Sequence, residues 1–205
     1  HILSLEKESE LMYYGAIHEL PEFEHPVTVL EIGGGLTHLA YGKYGYIIKT
    51  EAFHFGSVNF TERFFTSDPP SKENVDNLRE EVRNQLKEKD FQIAEKKLLV
   101  GCSGTAVSAA YILQEMKELS FEDVNGYRIL HKDLQELIDV FIHEPAEYFE
   151  SKNFPILRGR ADIVLCGFVI LDEFMKYYHF DSIMVSSGAL RHGVMLRYPS
   201  DRPYE

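Results

Sequence analysis

The sequence has no tryptophan, only two cysteines and fewer basic than acidic residues. Its 205 residues include 33 Asp and Glu against 21 Lys and Arg, which gives a formal net charge of -12. A surface that binds duplex nucleic acid needs clustered Lys and Arg to neutralise phosphates, and the sequence has no such cluster. The composition therefore argues against duplex nucleic acid as a partner.

Disulfides and membrane spans are also not expected. Cys102 and Cys166 lie in apolar segments without CxxC spacing, which predicts buried thiols in a reducing compartment. No apolar run approaches the roughly 20 residues of a membrane span, and no signal peptide opens the chain. We therefore expect a cytoplasmic protein with no membrane partner. Because the first residue is His1 rather than Met, we also expect a piece of a longer polypeptide.

A run of three glycines, Gly33 to Gly35, follows a β-like segment at 27–32. Glycines let a backbone take positive φ and bring its N–H groups close to a ligand, and such loops bind anions. Gly-Gly between two strands is equally a common hairpin signal. The loop alone leaves both interpretations open, an anion-binding cradle and a plain hairpin turn.

Hydrophobic periodicity predicts the remaining elements. A first helix is expected over 4–15, with Ser4 as N-cap and Gly15 as its C-terminal stop. A polar turn containing Pro21 and Pro26 follows it. Strands are predicted at 27–32, 37–42, 46–54, 97–100 and 182–186. Further helices are predicted in 55–65, 71–89, 106–119, 130–145 and 161–178, the last one buried, and after a turn at 187–193.

A second glycine-containing turn, Gly101 to Thr105, lies between a predicted strand and a helix. Strand, glycine-rich turn and helix form a phosphate-binding arrangement, but a tight joint between two elements has the same pattern. The order of elements predicts an α/β fold, with helices packed on a mixed central sheet. We expect one compact domain.

Four stretches, in order along nearly the whole chain, resemble one family. The Gly33 to Gly35 loop looks like an Asp-Ile-Gly-Gly-Gly-Ser-Thr-Glu loop, and 53–64 is similar to a Gly-Ala-Val-Arg-Leu-Thr-Glu-Arg-Phe block. Gly101 to Thr105 resembles a Gly-x-x-Gly-Thr turn, and 160–163 with 185–193 resembles Arg-Ala-Asp and Leu-Arg-Glu-Gly elements. These are motifs of the exopolyphosphatase and guanosine-pentaphosphate phosphohydrolase (Ppx/GppA) family.

The resemblance implies a ribonuclease-H-like domain of the actin-like ATPase superfamily. The whole chain, 1–205, would correspond to the second domain, with 1–15 as a linking helix and 26–205 as the core. The first domain would be absent, and the active site would lie between the two. The implied ligand is polyphosphate or a guanosine polyphosphate. The missing first domain would be a partner, and a homodimer is a further expectation.

The resemblance also assigns residues, since phosphoanhydride hydrolysis needs a positioned water, charge neutralisation and usually Mg²⁺. It places catalytic roles on Glu8, which would orient the water, and on His38. It places a Mg²⁺ ligand at Glu31. It places phosphate binding on Gly33, Gly34, Gly35, Thr37, Gly104, Thr105 and Arg191.

Several of these positions depart from the family pattern. Glu31 replaces an aspartate and moves the charge by roughly 1.5 Å, and Leu36 replaces a serine hydroxyl. His38 replaces a glutamate, and the loss of a positioned base typically costs on the order of 10² to 10⁴ in rate. Cationic and acidic side chains are also replaced, by Asn59, Ser187 and His192.

Two functions therefore remain open at this stage. The first is an enzyme that removes terminal phosphate from polyphosphate or guanosine pentaphosphate, with the isolated domain inactive. The second is a non-catalytic module that binds the same ligands through a degenerate site, which the substitutions at Leu36, His38 and Asn59 favour.

Overall fold

Six strands form one mixed sheet in the order β3-β2-β1-β4-β6-β5. The computed structural model describes residues 2–18, 20, 25–95, 98–118, 120–152 and 154–197. β1 pairs antiparallel with β2 and parallel with β4, which is parallel to β6. The strands are β1 (Val27–Ile32), β2 (Thr37–Lys43), β3 (Tyr46–Phe53), β4 (Leu98–Cys102), β5 (Arg128–Leu130) and β6 (Ser182–Val185).

Helices cover both faces of this sheet, as the α/β pattern predicted. None of the described helices has the length and apolar composition needed to cross a bilayer. They are α1 (Leu5–His18), α2 (Ser57–Phe64), α3 (Lys72–Lys89), α4 (Ser103–Leu113), α5 (Phe121–Val124), α6 (His131–His143), α7 (Ala146–Ser151), α8 (Ala161–Tyr178) and α9 (Leu190–Arg197), with a 3₁₀ turn at Pro155–Leu157.

Alternating side chains of β1 separate two apolar clusters, because successive residues of a strand point to opposite faces. Val27 and Val29 pack in a cluster with residues of α1. Leu30 and Ile32 belong to the larger cluster on the other face, which includes α8. By this alternation Glu31 extends from the α1 face, where the candidate site is formed.

The central helix α8 is apolar on most faces, as predicted, but it also carries two buried acids, Asp172 and Glu173. Arg83 Nε lies 2.6 Å from Glu173 Oε2, and Arg79 contacts both acids. Burial opposes the charged form of Asp172, but hydrogen bonds from Lys176 and Arg79 outweigh burial and lower its pKa. These ion pairs fasten α3 to α8.

The prediction that the first helix ends at Gly15 is wrong, because α1 continues to His18. Gly15 instead allows α1 and α9 to approach at the level of their backbones. A Cβ on Gly15 would lie 2.6 Å from the backbone nitrogen of Gly193 and would overlap the carbonyl of Ala189. A Cβ on Gly193 would overlap the carbonyl of Leu11. The glycine marks a helix crossing, not a helix end.

Other boundaries also differ from the prediction. β4 passes directly into α4 at Ser103, so Gly101 and Cys102 belong to the strand and there is no separate glycine turn. The helix after it ends at Leu113; Leu119, its predicted end, lies outside the described residues. Strand β5 was not predicted, because its three residues are too few to show the alternation of apolar and polar side chains that marks a strand.

Two further predictions lie partly outside the described residues, which exclude Pro21, Lys97 and 198–205. These are the turn at Pro21 and the first residue of the predicted strand 97–100, both of which stay predictions. The assignment of 1–205 as a single second domain, with its linking helix and core, stays a prediction.

Replacing Gly15 with Ala is expected to lower the free energy of unfolding by about 1 to 3 kcal/mol, because the new methyl group meets the α9 backbone. Helix propensity alone predicts the opposite sign, a gain of about 1 kcal/mol for Ala over Gly. Urea unfolding measures the difference. Asn84→Ala is the control, because Asn84 is exposed on α3 and its replacement should not destabilise the protein. If Gly15→Ala and the unmodified chain had equal free energies of unfolding, the close crossing of α1 and α9 would be contradicted.

Candidate functional site

Three loops meet at one edge of the sheet because β1, β4 and β6 run parallel. The carboxyl ends of parallel strands lie at the same edge, where α/β proteins usually bind ligands. The glycine loop at 33–36 leaves β1, Ser103 follows β4 and the segment 186–189 leaves β6. The structure thus brings together the motifs at 33–35, 101–105 and 187–193.

The glycine loop is both a hairpin and a surface with exposed amides. Its carbonyls are held by the first turn of α2: Ser57 N–H donates to Gly33 O and Val58 N–H to Gly34 O, both at 2.8 Å. Gly34 and Gly35 are exposed, and no acceptor within the described residues takes their N–H groups. None of the three glycines has positive φ, so the expectation of left-handed backbone at these positions is wrong.

Asn59 fastens this loop to α2. Its side-chain amide donates to Gly35 O at 3.3 Å, and its Oδ1 accepts the N–H of Gly56 at 2.8 Å. Gly56 is required here because a Cβ on it would lie 2.6 Å from the carbonyl carbon of Gly34. The residue that replaces the family arginine therefore has a structural role in this chain.

The two threonines assigned to phosphate binding are buried. Thr37 donates its hydroxyl hydrogen to Phe55 O at 2.8 Å, and Thr105 donates to Ile32 O at 3.3 Å. In this conformation both hydroxyls hold the backbone at the edge of the sheet. A phosphate contact by either hydroxyl stays a prediction.

A cavity of about 330 Å³ opens at the start of α4, beside Glu31. Ser103 has φ of 62°, which non-glycine residues adopt rarely, and its hydroxyl donates to Glu31 Oε1. The first N–H groups of an α-helix have no partner within the helix and favour anions. The polar residues that line the cavity are Glu31, Ser103, Arg160, Ser187, Arg191 and His192.

Arg160, which the assignment of site residues missed, is the second cation of this cavity. A Cβ on Gly104 would lie 3.0 Å from the Arg160 guanidinium carbon, so Gly104 makes room for that side chain. Across the described part of the chain, no carboxylate pairs with Arg160 or with Arg191. The sequence does carry a signal for it, since Arg160 opens the family-like Arg-Ala-Asp stretch.

Glu8 and His38 meet on the α1 face of the sheet. His38 Nε2 lies 3.7 Å from Glu8 Oε2, and His38 Nδ1 lies 2.8 Å from the hydroxyl of Ser9. His38 is also directly opposite Glu31 in the β1–β2 register, so its side chain and that of Glu31 share one face. The structure thus gathers Glu8, Glu31 and His38, and adds Ser9, which the sequence gave no reason to select.

The remaining departures are part of the protein's own hydrogen-bond network. The carbonyl of Leu36 accepts the N–H of Gly33 at 2.9 Å, and Ser187 N–H donates to Asn125 Oδ1 at 3.0 Å. His192 Nδ1 accepts the N–H of Ala189 at 3.2 Å, just before α9 begins. Of these residues, Ser187, Ala189 and His192 line the cavity.

The carboxylate of Glu31 suits Mg²⁺ that is bound together with phosphate. Mg²⁺ usually takes one or two carboxylates and completes its shell with water and substrate phosphates. Glu31 lines the cavity, and its second carboxylate oxygen is not used by Ser103. Within the described residues there is no cluster of three His, Cys, Asp or Glu side chains that could hold a metal alone. Glu31 as a metal ligand therefore stays a prediction.

Comparison with known proteins decides the family. The sequence model of the Ppx/GppA phosphatase family matches residues 1–200. The chain belongs to the Ppx/GppA phosphatase family. A putative exopolyphosphatase of Haemophilus influenzae is 30% identical over 200 residues, which are 95% of this chain and 58% of the relative. Exopolyphosphatase 2 of Mycobacterium tuberculosis is 26% identical over 93% of this chain and 61% of its own length.

The fold prediction is confirmed by a solved structure of the same family. The Aquifex aeolicus Ppx/GppA protein is 26% identical, and its superposition has a TM-score of 0.89. It covers 100% of this Ppx/GppA chain and 66% of the Aquifex chain. The actin-like, ribonuclease-H-like fold is therefore shown, and the chain spans about six tenths of the length of these two curated relatives.

Replacing Arg160 or Arg191 with Ala is expected to weaken the binding of linear tripolyphosphate about tenfold or more at low salt. A hydrogen bond to a charged group contributes about 1.5 to 3 kcal/mol. Titration calorimetry on the chain measures the dissociation constant. Arg197→Ala is the matched control, because Arg197 is on the same helix as Arg191 but stacks on Tyr14. Unchanged affinity in both arginine variants would exclude this cavity as the anion site.

Proposed function

We propose that this chain is the phosphate-chain-binding part of a Ppx/GppA phosphatase that removes the terminal phosphate of polyphosphate or guanosine pentaphosphate. The observation that carries the proposal is the cavity at the start of α4, where Arg160 and Arg191 have no carboxylate partner in the described residues. Two unpaired cations beside helix N–H groups suit a polyanion. Because the chain as a whole has a net charge of -12, two cations without carboxylate partners in one cavity distinguish this surface from the rest of the protein.

The binding groups fit a chain of phosphates better than a single anion. Arg160 and Arg191 line the cavity, and a guanidinium group can bind two phosphate oxygens at once. The exposed N–H groups of Gly34 and Gly35 lie at the same edge, beyond Glu31. A phosphate chain that entered the cavity and continued to the glycine loop would bring a terminal phosphate toward Glu31 and the pair Glu8–His38.

In the catalytic step that we propose, Glu8 orients the attacking water and His38 stands beside it as a base. Bound Mg²⁺ would be held by Glu31 and would neutralise charge on the phosphates. The arginines and backbone N–H groups stabilise the phosphoryl group, since phosphoryl transfer depends mainly on positioning and electrostatics. The names of the exopolyphosphatase relatives support this type of substrate.

We further propose that residues 1–205 alone are inactive and need a first domain. Support comes from relatives and solved structures that extend well beyond the matched region, since the chain covers 58 to 66% of them. A site between two domains would also explain why Glu8 keeps about 30% of its side chain exposed. Self-association of the chain stays a prediction.

The intact polypeptide is expected to release phosphate from polyphosphate or guanosine pentaphosphate, and Glu8→Gln is expected to lower kcat by about 10² to 10⁴, the usual contribution of a positioned base or water-orienting group. Gln keeps the shape of Glu but removes the charge. A phosphate-release assay measures the rate. Glu10→Gln on the same helix, where Glu10 pairs with Lys7 at 2.9 Å, should retain activity. No turnover by the unmodified intact protein would contradict an enzymatic function.

A non-catalytic binding module is the second candidate. His38 contacts Ser9 and Asn59 holds Gly35 and Gly56, so two of the departures from the family pattern are part of stable internal contacts. Such a protein would bind polyphosphate or guanosine polyphosphates and regulate through binding alone. The cavity and its arginines are common to both candidates.

The substitution His38→Glu, which restores the family carboxylate, distinguishes the two. If the protein is a binding module, the unmodified intact chain should bind without hydrolysis, and His38→Glu should raise phosphate release because it adds an acceptor beside Glu8. Phosphate release and binding are measured on the same samples. Rapid hydrolysis by the unmodified protein would exclude the binding module.

A further inference from the structure

Ser9 and His38 form a buried hydrogen bond next to Glu8. The Ser9 side chain is on α1, the residue is only 1% exposed, and His38 on β2 is 7% exposed. The Ser9 hydroxyl oxygen lies 2.8 Å from His38 Nδ1 and 2.9 Å from the carbonyl oxygen of Leu5. Both contacts have ordinary hydrogen-bond lengths.

These two contacts determine which nitrogen of His38 carries the hydrogen. A serine hydroxyl has one hydrogen to donate, and the carbonyl of Leu5 can only accept. With the Ser9 hydrogen donated to Leu5 O, the Ser9 oxygen accepts from His38. His38 must then carry its hydrogen on Nδ1, and in the neutral ring Nε2 has a free lone pair.

The free nitrogen faces the carboxylate of Glu8. The separation of 3.7 Å between Nε2 and Oε2 is too long for a direct hydrogen bond. It is short enough for one water to lie about 2.8 Å from both atoms. Such a water would donate one hydrogen to Nε2 and one to Glu8, and its oxygen would remain free to attack.

We infer that Ser9 is a positioning residue that holds His38 with the hydrogen on Nδ1, so that Nε2 acts with Glu8 on the attacking water. This inference rests on the proposed hydrolysis. In that step the water oxygen forms a bond to the terminal phosphorus, and its hydrogen moves to Nε2. The bond between that phosphorus and its bridging oxygen breaks, and the shortened phosphate chain leaves with the electron pair.

Two kinds of observation support Ser9 over a purely structural role. The hydroxyl reaches His38 from the helix turn that also carries Glu8, so one element positions both groups. The β1–β2 register fixes the other side of His38, opposite Glu31. The imidazole is therefore held between a helix and a strand, with a single nitrogen facing Glu8.

The test is nitrogen-15 NMR of the histidine side chains at pH 8, with the chain as it exists. The unmodified protein is expected to show His38 with a protonated Nδ1 and an unprotonated Nε2. Ser9→Ala should lose this preference, and Ser9→Thr, which keeps the hydroxyl, should retain it. Ser108→Ala is the matched control, because Ser108 is a buried helical serine whose hydroxyl has no partner in the described structure.

Steady-state kinetics of the intact polypeptide provide the second measurement. Ser9→Ala is expected to lower kcat about tenfold with little change in KM, and Ser9→Thr should restore it. A hydrogen on Nε2 in the unmodified protein would overturn the inference, even if Ser9→Ala does not fold. The inference would also be overturned if Ser9→Ala no longer held the hydrogen on Nδ1 of His38 and yet had an unchanged kcat. If the unmodified protein has no activity, the proposed function fails, while the NMR result still shows whether Ser9 orients His38.

Discussion

The backbone contact between α1 and α9 is the constraint on which the candidate site depends. Gly15 and Gly193 lack the Cβ atoms that would hold the two helices apart. The first helix carries Glu8 and Ser9, and the second carries Arg191. A larger residue at either glycine would shift one helix against the other, and the separation of Glu8 and Ser9 from Arg191 would change with it.

The sheet positions the other residues of the candidate site. Parallel pairing of β1, β4 and β6 places the glycine loop, Ser103 and the segment before α9 at one edge. The antiparallel hairpin then places His38 opposite Glu31. As a result, one edge combines exposed backbone N–H groups, two arginines without carboxylate partners in the described chain, and two glutamates. This combination suits an anionic chain that also needs a positioned water.

The departures from the family pattern are not simple losses. Asn59 removes a cation but binds the loop carbonyl of Gly35 and the N–H of Gly56. His38 removes a carboxylate but gains a hydrogen bond with the buried hydroxyl of Ser9. The side chains of Asn59 and His38 thus have partners inside the molecule. These contacts are compatible with both catalysis and binding.

Much of the fold was readable from the sequence because its signals are local. The apolar spacing of Val75, Leu78, Val82 and Leu86 predicted α3, and the runs around Gly33 to Gly35 predicted the first hairpin. The four family-like stretches predicted the fold and the family. Hydrophobic periodicity did not predict short elements such as β5, because three residues are too few to show a period.

The composition of the site was decided only by the tertiary structure. The place of Arg160 beside Gly104, the bond between Ser9 and His38 and the crossing at Gly15 each join residues that are far apart in the chain. No local pattern encodes such contacts. The sequence by itself determined the family and the order of its motifs along the chain. Packing of α1, α9 and the sheet decided which side chains meet at the site, because distance and burial arise only when the elements pack together.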